Sequence, residues 1–152
     1  MKKSKLNDKD YAALARMMRK VDFFAPMTIG QLEMVLPYIL LIEYEEGETV
    51  FKQGEEGDAL YIVYEGEVRV RVKSGFLSWP KEVARLKPGD FFGEMALLST
   101  EKRTATIDCA RPARLFALMA ADFDYVLKRN PSFKLEIEKV AQRRKFLSKH
   151  DM

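Results

Sequence analysis

The run Phe92-Gly93-Glu94-Met95-Ala96-Leu97-Leu98, followed by Arg103-Thr104-Ala105-Thr106, is the stretch from which the rest of the chain can be interpreted. It joins a glycine, a carboxylate, one turn of apolar helix formers and an arginine that leads into a β-prone segment. Gly93 lets backbone approach a bound molecule, because no Cβ stands in the way. The short helical turn after Glu94 offers backbone N–H groups that attract an anion. Arg103 carries the planar fork that grips two phosphate oxygens, and Glu94 can accept a hydrogen bond from a sugar hydroxyl. These residue types suit a small molecule with one anionic phosphate and one hydroxyl.

Around this run, positions 39 to 118 divide into short β-prone segments: Ile39–Tyr44, Thr49–Lys52, Ala59–Tyr64, Glu67–Val72, Lys81–Leu86, Arg103–Asp108 and Ala113–Leu118. Val68, Val70 and Val72 alternate with Arg69, Arg71 and Lys73, so one face of that strand is expected inward and the other wet. Glu46-Gly47, Gly54 with Gly57-Asp58, Glu65-Gly66 and Lys87-Pro88-Gly89-Asp90 punctuate the strands as turns. Ser74–Pro80 is expected to be a hairpin loop, where Trp79 either touches a partner or covers the barrel edge. Both ends are helical in pattern. Tyr11, Leu14, Ala15 and Met18 share a face, with Asn7 or Asp8 as cap. Thr28 with Gln31 forms a capping-box signature before Ile29, Leu32, Val35 and Leu36. Beyond Leu118, Asp122, Phe123, Val126 and Leu127 form an amphipathic piece. After Asn130-Pro131, a last helix places Phe133, Ile137, Val140, Ala141, Arg144 and Leu147 or Ser148 on one stripe. The expected fold is α+β, mainly β: an eight-stranded β-barrel or double-stranded jelly roll, flanked by N-terminal helices and two C-terminal helices.

At 152 residues the chain is expected to be one domain. Its net charge of +3 is too small to make nucleic acid the main partner. The single cysteine, Cys109, excludes an internal disulfide and fits a reducing compartment. The single histidine, His150, leaves no three-histidine metal site and no Ser-His-Asp triad. No stretch approaches the ~20 apolar residues of a membrane span. No nucleophile–base pair or Walker-type loop is present, so the chain is not expected to be an enzyme.

The order of helices, short strands and two final helices resembles the cyclic nucleotide-binding domain family over roughly residues 20–148. The resemblance rests on Gly47, Gly54, Gly57-Asp58 and Gly66 in successive turns, then Pro88-Gly89-Asp90-Phe91-Phe92-Gly93-Glu94 and Arg103-Thr104-Ala105-Thr106. It implies an N-terminal helical segment (1–38), a β-roll (39–118) holding a phosphate-binding cassette (92–106), and C-terminal hinge and lid helices (119–152). The ligand implied is a cyclic nucleotide, cAMP or cGMP, with no metal. Lys102 stands where many members carry proline, which removes a fixed φ and adds a positive charge near the phosphate.

The resemblance also implies residue roles. Arg103 would pair with the exocyclic phosphate oxygens, or else form a surface ion pair with Glu94 or Glu101. Glu94 would bind the ribose 2′-hydroxyl, cap the short helix, or both. Phe92, Gly93, Met95 and Ala96 would supply backbone groups and space around phosphate and sugar, although Met95 also fits the core. Thr104 would reach phosphate or purine, a position associated in parts of the family with cGMP; it also fits a half-buried strand residue. Ala84, Leu86 and a valine of Val68–Val72 would wall the base. Arg144 and Leu147 would cover it from the last helix, or Arg144 would lie on a solvated helix end. The implied protein is a cytoplasmic receptor that signals through its lid helix to a separate effector protein, or to an effector domain missing from this chain. The competing reading is a ligand-independent protein-interaction module on the same fold.

Overall fold

Val68-Arg69-Val70-Arg71-Val72 alternates, whereas Ala59-Leu60-Tyr61-Ile62-Val63 and Ala113-Arg114-Leu115-Phe116-Ala117-Leu118 are nearly continuous apolar runs. The computed structural model shows why. It describes residues 1–21, 24–75, 78–99 and 101–150, with side chains described as far as Arg143. In chain order the strands are β1 (Lys2–Ser4), β2 (Leu40–Tyr44), β3 (Thr49–Phe51), β4 (Ala59–Glu65), β5 (Val68–Val72), β6 (Lys81–Leu86), β7 (Phe91–Phe92), β8 (Thr106–Cys109) and β9 (Ala113–Met119). The helices are α1 (Asp8–Met18), α2 (Ile29–Val35), α3 (Met95–Leu98), α4 (Ala120–Arg129) and α5 (Pro131–His150).

The strands form two antiparallel sheets. One has the order β1-β2-β9-β4-β7, the other β3-β8-β5-β6. β4 and β9 lie in the interior of the larger sheet and are covered on both faces, so they need apolar residues at successive positions. Leu60, Ile62, Phe116 and Leu118 face the helices, in one core with Leu14, Met18, Val35, Phe123, Phe133 and Ile137. Ala59, Tyr61, Val63, Leu115 and Ala117 face the second sheet, in another core with Phe51, Val68, Phe92, Ile107 and Cys109. On β5 Val68 is buried and Val70 packs on the second core, while Arg69 and Arg71 alternate with them and pair with Asp108. The arrangement is a double-sheet roll flanked by helices; among the described residues the two sheets are not joined into one closed barrel.

Local signals account for most helix ends. Asn7 caps α1 in a reciprocal box with Asp10, and Thr28 caps α2 in one with Gln31. α2 stops at Val35 and passes into a tight turn at Leu36–Tyr38, where Pro37 cannot continue the α-helical bonding. The inward face of α1 differs from expectation: Asp10, Ala13, Leu14 and Met18 are buried, while Tyr11 and Ala15 are exposed. The Asp10 carboxylate accepts the Asn7 N–H at 3.0 Å and lies 3.8 Å from the Arg114 guanidinium on β9. Ile29 is exposed, also against expectation.

Cys109 is a free thiol with no solvent exposure. Burial, then the nearby carboxylates of Glu48 and Asp108, push its pKa from 9.0 to about 11. The native protein should therefore resist a maleimide near neutral pH, and react only once unfolded. Because the folded-state pKa is the higher one, the associated stability is full below pH 9.0 and lost as pH rises through about 11. Urea midpoints measured across that window should fall with rising pH.

Candidate functional site

The turn after β3 and the segment before β8 lie side by side. The Gly54 N–H donates to Arg103 O at 2.8 Å, the Arg103 N–H donates to Glu55 O at 2.7 Å, and Glu56 pairs with Lys102 as an isolated antiparallel bridge. This pairing orients the Arg103 side chain toward the space between the two sheets. The strand expected from Arg103 therefore begins only at Thr106, because Arg103–Ala105 form the wall of a cavity.

Arg103 is buried, with only 7% of its surface exposed. Its Nη2 donates to Ala59 O at 2.8 Å and to Asp58 Oδ1 at 3.2 Å, and its Nη1 donates to Gly93 O at 3.3 Å. The guanidinium carbon stands 3.9 Å from the centre of the Phe51 ring, within cation–π range. Phe51 in turn packs on Phe92 and Tyr61, and the Phe92 and Tyr61 rings stack at 5.2 Å. Burial raises the Tyr61 pKa. The Arg103 Nε is buried and has no hydrogen-bond partner among the described residues. A charged group held this way is preset in one geometry, with donor capacity left over.

Gly93 follows from the same geometry. Its φ is +78°, and a Cβ there would lie 2.7 Å from Arg103 Nη1 and 2.8 Å from Ala59 O. The absent side chain thus makes room for the arginine itself. Glu94 precedes α3, and its side chain makes no cap hydrogen bond; the helix-capping alternative for Glu94 is not observed. Of the N–H groups expected to be offered at the helix start, that of Ala96 is already donated to Gly93 O at 3.1 Å.

The cavity measures about 250 Å³, just under the ~300 Å³ lower end of small-molecule sites. Phe92, Gly93, Glu94, Met95, Ala96, Arg103 and Thr104 all line it, as do Phe51, Val70, Glu101, Lys102 and Ile107. Thr104 is exposed rather than half-buried. Ala84 and Leu86 stand apart from these lining residues, though Leu86 packs on the same core as Val70 and Phe92. They lie on β6, at the edge of the smaller sheet, where Ala84 pairs with Val70 and is exposed, and neither lines the cavity. Val70 is the base-wall candidate that does. The α5 backbone passes through positions 144 and 147, but the side chains of Arg144 and Leu147 lie outside the described residues. Two contributors were missed in the sequence: Phe51, which reads as a core strand residue, and Asp58, which reads as part of a turn. Their contacts with Arg103 are non-local and leave no short-range pattern.

Residues 41–130 match the family model of the cyclic nucleotide-binding domain. A cGMP-dependent protein kinase of Eimeria tenella is 34% identical over 70% of this chain and 10% of the kinase. The cyclic AMP receptor protein of Thermus thermophilus is 31% identical over 75% of this chain and 52% of that protein. This chain therefore spans about half of the receptor and a small part of the kinase. The solved structure of cAMP-bound PfPKA-R (141-441) superposes with a TM-score of 0.74 and 28% identity, over 81% of this chain and 43% of that one. With a matched segment that runs from β2 through α4 and contains the whole cavity wall around Glu94 and Arg103, this chain belongs to the cyclic nucleotide-binding domain family.

Proposed function

We propose that the cavity receives one cyclic nucleotide, cAMP or cGMP, and that the protein is a non-catalytic cytoplasmic receptor. One observation carries the proposal: a buried guanidinium, preset against two carbonyls and the Phe51 ring, stands on the cavity wall beside Glu94 with its Nε unpartnered. A cyclic phosphate supplies the acceptors such a group lacks. In this reading Arg103 takes the exocyclic oxygens and Glu94 the ribose 2′-hydroxyl. Phe92, Gly93, Met95 and Ala96 shape the phosphate and sugar space, and Val70 is the valine of Val68–Val72 that lines the cavity as a wall for the base. The named nucleotides of the kinase, the receptor protein and the cAMP-bound structure favour the same ligand class. The buried free thiol of Cys109 favours a reducing compartment.

The output runs through α5. Leu97 and Leu98 of the cassette helix pack on the same core as Phe133 and Ile137 of α5, and Gln31 of α2 donates to Glu136 of α5 at 3.0 Å. A nucleotide that prefers one placement of α3 shifts the population of α5 placements with it. Arg144 and Leu147 are the proposed base-covering positions. The recipient is a separate effector protein or an effector domain of a longer protein.

Calorimetric titration with cAMP and with cGMP tests this. Saturable binding at micromolar or lower concentration is expected. No heat with either nucleotide, in folded and ligand-free protein, would leave the interaction-module reading in its place. Thr104→Ala should then report on the base. A hydroxyl contact is worth about 0.5–1.5 kcal/mol net, so cGMP affinity should fall by roughly two- to tenfold while cAMP affinity changes less. Equal losses for both nucleotides would place the Thr104 hydroxyl on the shared phosphate.

A further inference from the structure

The hairpin between β5 and β6 carries Trp79, the single tryptophan of the sequence, at 87% exposure. The expectation that it covers the barrel edge does not hold: the indole stands in solvent. An indole exposes a large apolar area, and nothing among the described residues packs over most of it. Pro80, its neighbour, borders a basin of about 550 Å³ between the hairpin and the end of β3. Lys52, Arg71 and Lys73 line that basin together with the Thr49 and Thr106 hydroxyls. Lys81 follows Pro80 and is exposed, in register with Val72 on β5.

The acids nearby are already engaged. Asp108 is shared between Arg69 and Arg71, so one negative charge faces two positive ones. Glu82 and Glu67 both pair with Arg85, and Glu67 also with Arg111. Lys52, Lys73 and Lys81 are in no ion pair among the described residues, and no carboxylate lines the basin. The outer end of the smaller sheet therefore combines a protruding indole with a collar of uncompensated cations. An indole with one apolar body and one N–H settles at the boundary of headgroups and acyl chains, and clustered lysines are drawn to anionic headgroups. A nucleic-acid surface would want a broader basic field than a +3 chain offers. An acidic protein would have to supply a pocket for the indole as well as acids for the lysines, whereas a lipid boundary takes the indole without one.

We propose that the β5–β6 hairpin docks this domain onto an anionic lipid surface, with Trp79 at the headgroup boundary and Lys52, Lys73, Lys81 and Arg71 against the headgroup phosphates. Docking here is peripheral; among the described residues no helix is long and apolar enough to cross a membrane. The inference does not depend on the cyclic nucleotide reading, since the basin shares no lining residue with the cavity.

The lone tryptophan makes the test direct. The full chain is mixed with vesicles of phosphatidylcholine alone, or of phosphatidylcholine with phosphatidylserine, and Trp79 emission and co-sedimentation are followed. The expected result is a blue shift and co-sedimentation with the anionic vesicles only, both suppressed by salt. Lys52→Gln/Lys73→Gln/Lys81→Gln should weaken co-sedimentation by about a hundredfold, at roughly a factor of five for each basic residue. Trp79→Ala should weaken it as well, and both variants alter exposed positions, so circular dichroism should show them folded. No difference between neutral and anionic vesicles overturns the proposal. So does a shift of Trp79 emission with polyglutamate or duplex DNA but not with vesicles, which would assign the surface to an acidic protein or to nucleic acid.

Discussion

Arg103→Ala is expected to abolish nucleotide binding at ordinary ligand concentrations while leaving a folded protein. The substitution removes the one buried cation on the cavity wall, together with its hydrogen bonds to Ala59 O and Gly93 O and its seat on Phe51. Truncating one partner of a buried charge pair costs about 2–5 kcal/mol, which is roughly a 30- to 5,000-fold rise in Kd. The protein also loses stability, since Ala59 O accepts a buried hydrogen bond from Arg103; about 1–3 kcal/mol is the scale for an acceptor left without its donor. Thermal melting separates the two effects. Saturating nucleotide should raise the Tm of the wild type, because ligand that binds only the native state stabilises it. The variant should start lower and show no ligand-induced rise. Arg103→Lys keeps the charge but not the fork, and a compact ammonium cannot satisfy Gly93 O, Ala59 O and a phosphate together. It should fall between the two. An unchanged affinity in folded Arg103→Ala protein would mean that the anion is held elsewhere.

Gly66→Ala is expected to cost the fold more than any surface change. Gly66 makes the turn from β4 into β5 with φ +88°, and a Cβ built there would overlap the Pro112 carbonyl oxygen and come within 2.7 Å of Ala113 Cα. These are backbone atoms at the start of β9, which is hydrogen-bonded on both sides, so they cannot swing aside as a side chain can. Left-handed strain and overpacking each cost about 1–3 kcal/mol, so a combined loss on the order of 3–5 kcal/mol is expected. Against the ~5–15 kcal/mol that holds most domains together, this is a large fraction. The urea midpoint should drop steeply. Gly30→Ala supplies the opposite sign: Gly30 sits in α2 with only Thr28 Oγ1 at 4.0 Å from a built Cβ, and the change should stabilise by roughly 0.5–1 kcal/mol. If both variants shifted the midpoint alike, the packing argument at Gly66 would be wrong.

What could be interpreted in the sequence was whatever depends on near neighbours. Seven strands, the Thr28–Gln31 capping box, a cap at Asn7 or Asp8 and the turn glycines are local patterns, and they appear in the structure within a residue or two apart from the delayed start of β8. The strand at Phe91–Phe92 is too short for any periodicity, and Lys2–Ser4 is polar and pairs with β2 only through its backbone. Ala84 and Leu86 are harder to place from sequence. The run Lys81-Glu82-Val83-Ala84-Arg85-Leu86 contains apolar residues, but β6 is an edge strand with a bulge between its pairings at Ala84 and Glu82, so sequence spacing does not say which side faces the ligand space. The cavity was legible in its contiguous part, from Phe92 to Thr104. Its other half was not, because Asp58 lies 45 residues from the arginine it pairs with. That distance is closed only by the two-sheet topology.

The N-terminal strand has a consequence for how the protein behaves in bulk. Residues Lys2–Ser4 run along β2, and the terminal ammonium of Met1 holds Glu48 at 2.9 Å. The outer margin of the larger sheet is thereby hemmed by a short, charged piece of the chain's own length. Remove that hem and β2, an apolar strand next to β9, would present a bare row of amide and carbonyl groups. Molecules trimmed in this way could then be stitched margin to margin. The first few polar residues, which contribute little to either core, thus help decide whether a concentrated solution stays clear.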